Sequence, residues 1–184
     1  MADLKESPSQ TAGPYVHIGC MPTFAGLEGM FHGTDLGARM ITGDPMGDRI
    51  TLSVRIIDGA GDPLTDAMVE IWQPGPDGGF GTTTGFSNWG RQPTCADTGD
   101  AVFETLMPGA PQGQAPHVFV WIAARGINMA LMTRIYFPDD TNRSDPVFTR
   151  AGDRAGTLVA TLADQGFSHI IHLQGEKETV FFDV

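Results

Sequence analysis

The sequence has few basic residues, which limits the classes of molecule that the protein can bind. Only 11 Lys and Arg stand against 22 Asp and Glu among 184 residues, which gives a formal net charge of −11. Proteins that bind nucleic acid need clustered cations on one surface, so we expect no nucleic-acid partner. An anionic ligand would be repelled at long range and would need a local arginine for its recognition.

Cysteines and long apolar segments are also scarce. The two cysteines, Cys20 and Cys95, stand far apart without a C-x-x-C spacing, which predicts free thiols of the kind found in the cytosol. No apolar run approaches the ~20 residues that cross a bilayer. The first residues carry acids with no apolar segment behind them, unlike a signal peptide. We therefore expect a cytoplasmic protein with no membrane partner.

Alternating hydrophobicity predicts a series of short strands. Apolar and polar side chains alternate over residues 50–56, the period of a strand with one face in solvent. Helical pattern is scarce: residues 145–151 are compatible with a short helix, and residues 157–163 are ambiguous. Turns rich in Gly and Pro separate the elements. Further strands are predicted at residues 67–72, 101–106, 118–124, 129–137, 167–173 and 179–184.

This pattern predicts an all-β fold, a single β-sandwich with short helices. Residues 1–48 differ from the rest because they hold eight glycines and no clear strand. We interpret residues 1–48 as an extended N-terminal arm that lies either on this domain or on a neighbouring chain. Residues 49–184 form the sandwich domain.

Several motifs carry a resemblance to a known family. The segment from Ile57 to Gln73 resembles the signature of the intradiol ring-cleavage dioxygenases, and Thr11 to Tyr15 is similar to the N-terminal motif of that family. Ala124 to Asn128 and Gln174 to Asp183 narrow the resemblance to the α chain of two-chain members. The resemblance runs from about residue 8 to the C-terminus and implies the prealbumin-like sandwich of intradiol dioxygenases.

The family resemblance implies a reaction and a cofactor. Catalytic chains of the family hold ferric iron with two tyrosines and two histidines, and phenolates suit Fe(III) because they are hard anionic donors. A catechol binds this iron through both oxygens. The ring then reacts with O₂ and opens between the two hydroxylated carbons.

The iron ligands of the family are missing from this sequence. The first family tyrosine stands in a Gly-x-Tyr context, where this chain has Phe80. The second stands in a Pro-Gly-Pro-Tyr context, and residues 108–111 contain no tyrosine. The two histidines form His-x-His after a proline, where only His117 remains and Phe119 replaces its partner. The resemblance therefore implies a chain without metal ligands and without catalytic residues of its own.

The resemblance implies that this chain completes a partner's active site. It would pair with a β chain that holds Fe³⁺, in αβ protomers of a larger oligomer, and help cleave 3,4-dihydroxybenzoate to 3-carboxy-cis,cis-muconate in the β-ketoadipate pathway. Its substrate-binding residues would be Gly13, Pro14, Tyr15 and Arg125. Gly13 allows close backbone approach, and Pro14 stiffens the segment. Arg125 suits a carboxylate, with Arg134 as a competitor for that role.

Two other functions stay open at this point. The chain could be a self-sufficient intradiol enzyme that uses Tyr15 or Tyr136, its only tyrosines, as unusual iron ligands. Alternatively, it could be a non-catalytic β-sandwich module that binds or carries aromatic acids, because a fold alone does not determine a function.

Overall fold

A computed structural model describes residues 10–30, 33–81, 83–164 and 166–183. Within these ranges, two four-stranded sheets pack face to face around one apolar core, so the predicted β-sandwich is confirmed. The strands are β1 Arg49–Ile57, β2 Met68–Trp72, β3 Trp89–Pro93, β4 Asp100–Leu106, β5 His117–Ala123, β6 Leu131–Tyr136, β7 Thr161–Ala163 and β8 Gly166–His172. Two short α-helices, α1 Pro14–Cys20 and α2 Pro146–Arg150, and 3₁₀ segments at Asp140–Ser144 and Gly152–Leu158 complete the elements.

The first sheet has the order β4-β1-β8-β7. β1 pairs antiparallel with β4 and parallel with β8. Leu52, Val54 and Ile56 alternate along β1 and are fully buried against the other sheet, as the alternation in the sequence predicts. On the outer face, Arg55 donates two hydrogen bonds of 2.8 and 2.7 Å to Asp100 on β4.

The second sheet has the order β3-β2-β5-β6. Apolar residues of β2 and β5 fill its inner face. The outer face carries all three tryptophans of the chain, because Trp72 pairs with Trp89 and Glu70 pairs with Trp121. The outer face of this sheet is therefore aromatic, whereas its inner face is aliphatic.

Six of the predicted strands are confirmed within a few residues at each end. The strand predicted at 179–184 is wrong over its described residues, 179–183. This segment makes isolated bonds instead: the Thr179 N–H donates to His172 at 2.9 Å and the Phe182 N–H donates to Met132 at 2.8 Å. Its two ends therefore bond to different sheets, which prevents a continuous ladder.

The sequence pattern missed two strands and left one region ambiguous. β3 contains Gly90 and Pro93, residues that weaken strand patterns, and β7 has only three residues. The ambiguous stretch 157–163 ends one 3₁₀ segment and then forms β7. The short helix expected within 145–151 is confirmed as α2 and begins at an Asp145 cap.

The arm contains α1 and then turns onto the second sheet. Met40 is 2% exposed and belongs to the main core, and Gly37 O accepts from the backbone N–H of Arg91 at 2.8 Å. The later part of the arm thus packs on this domain, while no residue of α1 is buried. Among the described residues, no helix has the length and hydropathy to cross a membrane.

We expect His169 on β8 to make the fold sensitive to acid. Burial lowers the pKa of His169 from 6.5 to about 4, and its Nε2 has no hydrogen-bond partner among the described residues. The unfolded chain therefore takes up a proton before the native one does. About 3 kcal/mol of stability present above pH 6.5 should be lost as the pH falls towards 4. Urea unfolding across this window should show a weaker pH dependence in His169→Leu, and equal slopes would contradict the prediction.

Candidate functional site

Thr11 joins the arm to the loop that follows β5. Its Oγ1 accepts from the Gly126 N–H at 2.6 Å and lies 3.4 Å from the carbonyl oxygen of Ala124. Gly126 has a φ of 80°, a left-handed conformation that favours glycine. This contact spans 115 positions of sequence and places the residues after Thr11 beside Arg125.

The helix α1 begins directly after this contact. Gly13 is its N-cap in an extended conformation, and Pro14 occupies the first helical turn, where its missing N–H costs no hydrogen bond. A Cβ built on Gly13 meets no atom within 4 Å. The backbone of Gly13 therefore faces open space within this chain, as close approach of a ligand requires.

A cleft of about 600 Å³ lies between α1, the following turn and the loops at the end of the sandwich. It is lined by Gly13, Pro14 and Arg125, three of the four residues predicted to bind substrate. The fourth, Tyr15, is 84% exposed and does not line the cleft. The other lining residues are Ala12, His17, Ile18, Phe24, Ala25, Thr65 and Asp66.

Asp66 is the neighbour of Arg125 that sequence reasoning missed. Arg125 Nε lies 3.1 Å from Asp66 Oδ2, and the two side chains are 70% and 39% exposed. Exposed ion pairs contribute only ~0–1 kcal/mol, so Arg125 can exchange Asp66 for another carboxylate at little cost. In the sequence Asp66 stands in a turn 59 positions away, and no local pattern links it to Arg125.

A second, larger cleft adjoins the first at Arg125. Its volume is about 1000 Å³, and its lining is largely apolar, including Ile127, Leu131 and Phe181. Arg125 lines both clefts. Its guanidinium is therefore the cation at the junction of two surface cavities.

His117, at one of the family's two histidine positions, lies at the end of β5 opposite to Arg125 and the clefts. His117 is the first residue of this strand and Ala123 the last, so the two ends are roughly 20 Å apart. His117 is 4% exposed, and its Nδ1 lies 2.8 Å from the carbonyl oxygen of Ala115. Burial lowers the pKa of His117, so the imidazole is a neutral, internally bonded group.

The two loops that carry the family's tyrosine positions, at Phe80 and at residues 108–111, pack beside each other. Gly109 N–H donates to Gly75 O at 2.9 Å, and a side chain at Gly78 would collide with the carbonyl of Ala110. Phe80 on the first loop is 62% exposed. The fold thus keeps the two loops together although neither carries a tyrosine.

The residues at this end of β5 do not fit a ferric ion. Phe80, Phe119 and residues 108–111 offer no phenolate or imidazole donor. Tyr136 lies opposite His117 with ring centroids 5.6 Å apart, but it is fully buried, and burial raises its pKa to about 12. Among the described residues, no three His, Cys, Asp or Glu side chains are grouped to hold a metal ion.

Arg134 belongs to this buried end and not to the cleft. Its Nη1 donates to Gln114 Oε1 at 2.7 Å and to Tyr136 at 3.3 Å, and it lies 4.0 Å from Asp145 Oδ2. Arg134 would repel a metal cation at Tyr136. Of the two arginines that compete for the carboxylate, only Arg125 lies beside Gly13 and Pro14.

The type of element decides which neighbouring side chains share a face. Tyr15 and His17, which would share a face on a strand, both lie on α1, where positions two apart point in different directions. His169 and His172 point to opposite faces of β8, as residues three apart on a strand do: His169 is buried with the core and His172 is half-buried on the other side.

Comparison with known proteins assigns the family. Residues 22–169 match the family model described as Dioxygenase. The chain is 35% identical to the protocatechuate 3,4-dioxygenase alpha chain of Pseudomonas putida, over 98% of this chain and 97% of that protein. It is 34% identical to the corresponding alpha chain of Burkholderia cepacia over the full length of both. The chain belongs to the intradiol ring-cleavage dioxygenases.

Solved intradiol dioxygenases share this fold. The dioxygenase domain of a carbohydrate-binding fusion protein from Streptomyces sp. SirexAA-E superposes with a TM-score of 0.56 and 25% identity, over 90% of this chain and 96% of that domain. 3-Chlorocatechol 1,2-dioxygenase from Rhodococcus opacus 1CP gives 0.54 with 19% identity, over 75% of this chain and 64% of that protein. The protocatechuate 3,4-dioxygenase beta chain of Burkholderia cepacia is also similar, with 31% identity over 58% of this chain and 52% of that one.

Asp145 should hold the buried end of β5 together. Its fully buried carboxylate accepts from the backbone N–H groups of Ala115, Val147 and Phe148 at 3.0, 2.7 and 3.2 Å. Asp145→Ala should lower the free energy of unfolding by roughly 3 kcal/mol, because it removes a helix cap and leaves buried donors unpaired. Urea denaturation measures the loss.

Asp145→Asn keeps an acceptor oxygen and should cost less. Asp139→Ala is a matched control, because Asp139 caps the preceding 3₁₀ segment from the surface, and its loss should be much smaller. Equal losses in the Asp139 and Asp145 variants would contradict the structural role of Asp145.

Proposed function

We propose that this chain is the non-iron-binding α subunit of a heteromeric intradiol dioxygenase that cleaves 3,4-dihydroxybenzoate. A β chain supplies the Fe³⁺ and the reacting centre, and this chain supplies part of the pocket wall. The observation that carries the proposal is full-length similarity to two α chains, together with family metal positions whose residues, as far as the structure describes them, do not fit iron. The product expected from this substrate is 3-carboxy-cis,cis-muconate.

The exposed surface of the arm supports a permanent partner. No residue of α1 is buried, and six large apolar side chains within residues 15–36 are exposed. An apolar surface of this kind is typical of an obligate interface. We infer that the exposed part of the arm, up to Leu36, packs on the β chain, while the rest of residues 1–48 packs on this domain, and that αβ protomers close into a larger symmetric oligomer. The six side chains are Tyr15, Ile18, Phe24, Leu27, Met30 and Leu36.

Each residue of the cleft has a distinct part in this proposal. Arg125 leaves Asp66 and binds the ligand carboxylate with charge-assisted hydrogen bonds, which a chain of net charge −11 needs locally. Gly13 brings its backbone against the ligand, and Pro14 holds that backbone rigid. Tyr15 is exposed beside Pro14, outside the cleft lining, and contacts the ligand at the edge of the shared pocket. Ring opening takes place at the iron of the β chain, in the cytoplasm.

A carrier of aromatic acids is the second candidate. It is favoured by the fact that the cleft and its arginine are formed in the single chain. Calorimetry distinguishes the two functions: tight binding of 3,4-dihydroxybenzoate by the lone chain supports a carrier, and binding by the αβ complex alone supports the shared pocket.

The separately purified chain is expected to lack stoichiometric iron and ring-cleaving activity. At the family's metal positions the remaining donors are a bonded imidazole and a buried phenol beside an arginine, so neither metal analysis nor visible absorption should reveal a tyrosinate–iron site. Coexpression with the β chain should restore iron, colour and O₂ uptake. Stoichiometric ferric iron and turnover in this chain alone would refute the proposal.

Arg125→Gln in the αβ complex should weaken substrate binding more than turnover. A charge-assisted hydrogen bond contributes roughly 1.5–3 kcal/mol, so KM for 3,4-dihydroxybenzoate should rise about 10- to 100-fold with little change in kcat. Catechol, which lacks the carboxylate, should show no comparable increase. Arg49→Gln is the control, because it removes another exposed ion pair, Arg49–Asp44 at 3.0 Å, outside the cleft. An unchanged KM in Arg125→Gln would exclude this role.

A further inference from the structure

The arm crosses β3 twice, and Arg91 binds it at both crossings. The guanidinium Nη1 of Arg91 donates to the carbonyl oxygen of Cys20 at 3.0 Å. The backbone N–H of Arg91 donates to the carbonyl oxygen of Gly37 at 2.8 Å. Asp35 connects the two passes, because its carboxylate accepts from the N–H groups of Thr23 and Phe24 at 2.8 and 3.0 Å. The arm therefore forms a loop that is closed at one arginine.

Neighbours on the sheet fix the guanidinium of Arg91. Arg91 Nε and Nη2 lie 2.8 and 2.7 Å from Glu70 Oε1, and Trp89 Nε1 donates to Glu70 Oε2 at 3.2 Å. The guanidinium carbon also stands 5.0 Å from the ring centroid of Trp89. The side chains of Arg91 and Glu70 are only 17% and 15% exposed. The partly buried Arg91–Glu70 ion pair therefore fixes the guanidinium so that Nη1 points towards the arm.

The bond to Cys20 falls at the end of α1, where a helix needs it most. The last carbonyls of a helix have no hydrogen-bond partner within the helix, and a cation at this end also interacts favourably with the helix dipole. Helix α1 has no buried residue and seven residues in all, so packing within this chain holds it weakly. Thr11 secures the segment before α1, and Arg91 secures its end.

We propose that Arg91, oriented by Glu70 and Trp89, is a positioning residue that holds α1, and with it Gly13 and Pro14, beside Arg125 before the partner binds. The substrate-related part of this inference rests on the proposed function. Preorganisation of this kind improves binding because the ordering entropy of the segment is not lost during association. Arg91 touches neither cleft and acts through the backbone of the arm.

The first test uses the isolated chain and does not depend on any activity. Arg91→Gln should increase amide hydrogen exchange over residues 16–27 by about tenfold, because a charged hydrogen bond at the end of α1 is lost. Arg55→Gln is the matched control: it removes the same type of cross-strand pair, Arg55–Asp100, on the other sheet. Unchanged exchange in Arg91→Gln, or the same increase in Arg55→Gln, would overturn the proposal.

The second test uses the αβ complex. Arg91→Gln should raise KM for 3,4-dihydroxybenzoate about tenfold with little change in kcat. In this variant part of the binding free energy of the ligand is used to order the arm. Arg91→Lys keeps the charge and a single donor nitrogen, so its hydrogen exchange and its KM should lie between those of the wild type and Arg91→Gln. Faster exchange with an unchanged KM would overturn the positioning role. A wild-type complex without activity would instead refute the proposed function, and the exchange result would still decide whether Arg91 holds the arm.

Discussion

The hydrogen bond between Thr11 and the turn at Gly126 is the contact on which the candidate site depends. It joins the arm to the end of β5 and brings Gly13 and Pro14 beside Arg125. Without it, the exposed Arg125–Asp66 pair would have no cleft beside it. The cleft exists because two segments more than a hundred positions apart in sequence meet at one side-chain hydroxyl.

Strand β5 separates this cleft from the family's metal positions. The core-facing residues of β5 are aliphatic and buried in the sandwich, so the strand keeps its two ends roughly 20 Å apart. At the first end, His117, Tyr136, Arg134 and Asp145 satisfy one another and the local backbone. That end stabilises the fold. The other end keeps an exposed arginine, Arg125, beside an open cleft.

The sandwich could be predicted from the sequence because its inner faces alternate strictly, as along β1. β3 could not, because Gly90 and Pro93 break the pattern and register with β2 maintains the strand. Helix α1 was missed for a related reason: its residues have weak helix propensity, and contacts at Thr11 and Arg91 hold it. The family motifs singled out Gly13, Pro14 and Arg125, which line one cleft in the structure, whereas Asp66 and the Glu70–Arg91 pair become visible only in three dimensions.

The location of iron and substrate in the αβ complex tests the central claim most directly. A crystal structure with bound 3,4-dihydroxybenzoate, with iron identified by anomalous scattering, shows which chain supplies each contact. Iron should be coordinated wholly by side chains of the β chain, with the ligand carboxylate at Arg125. An iron ligand from this chain, or a carboxylate bound at Arg134, would contradict it.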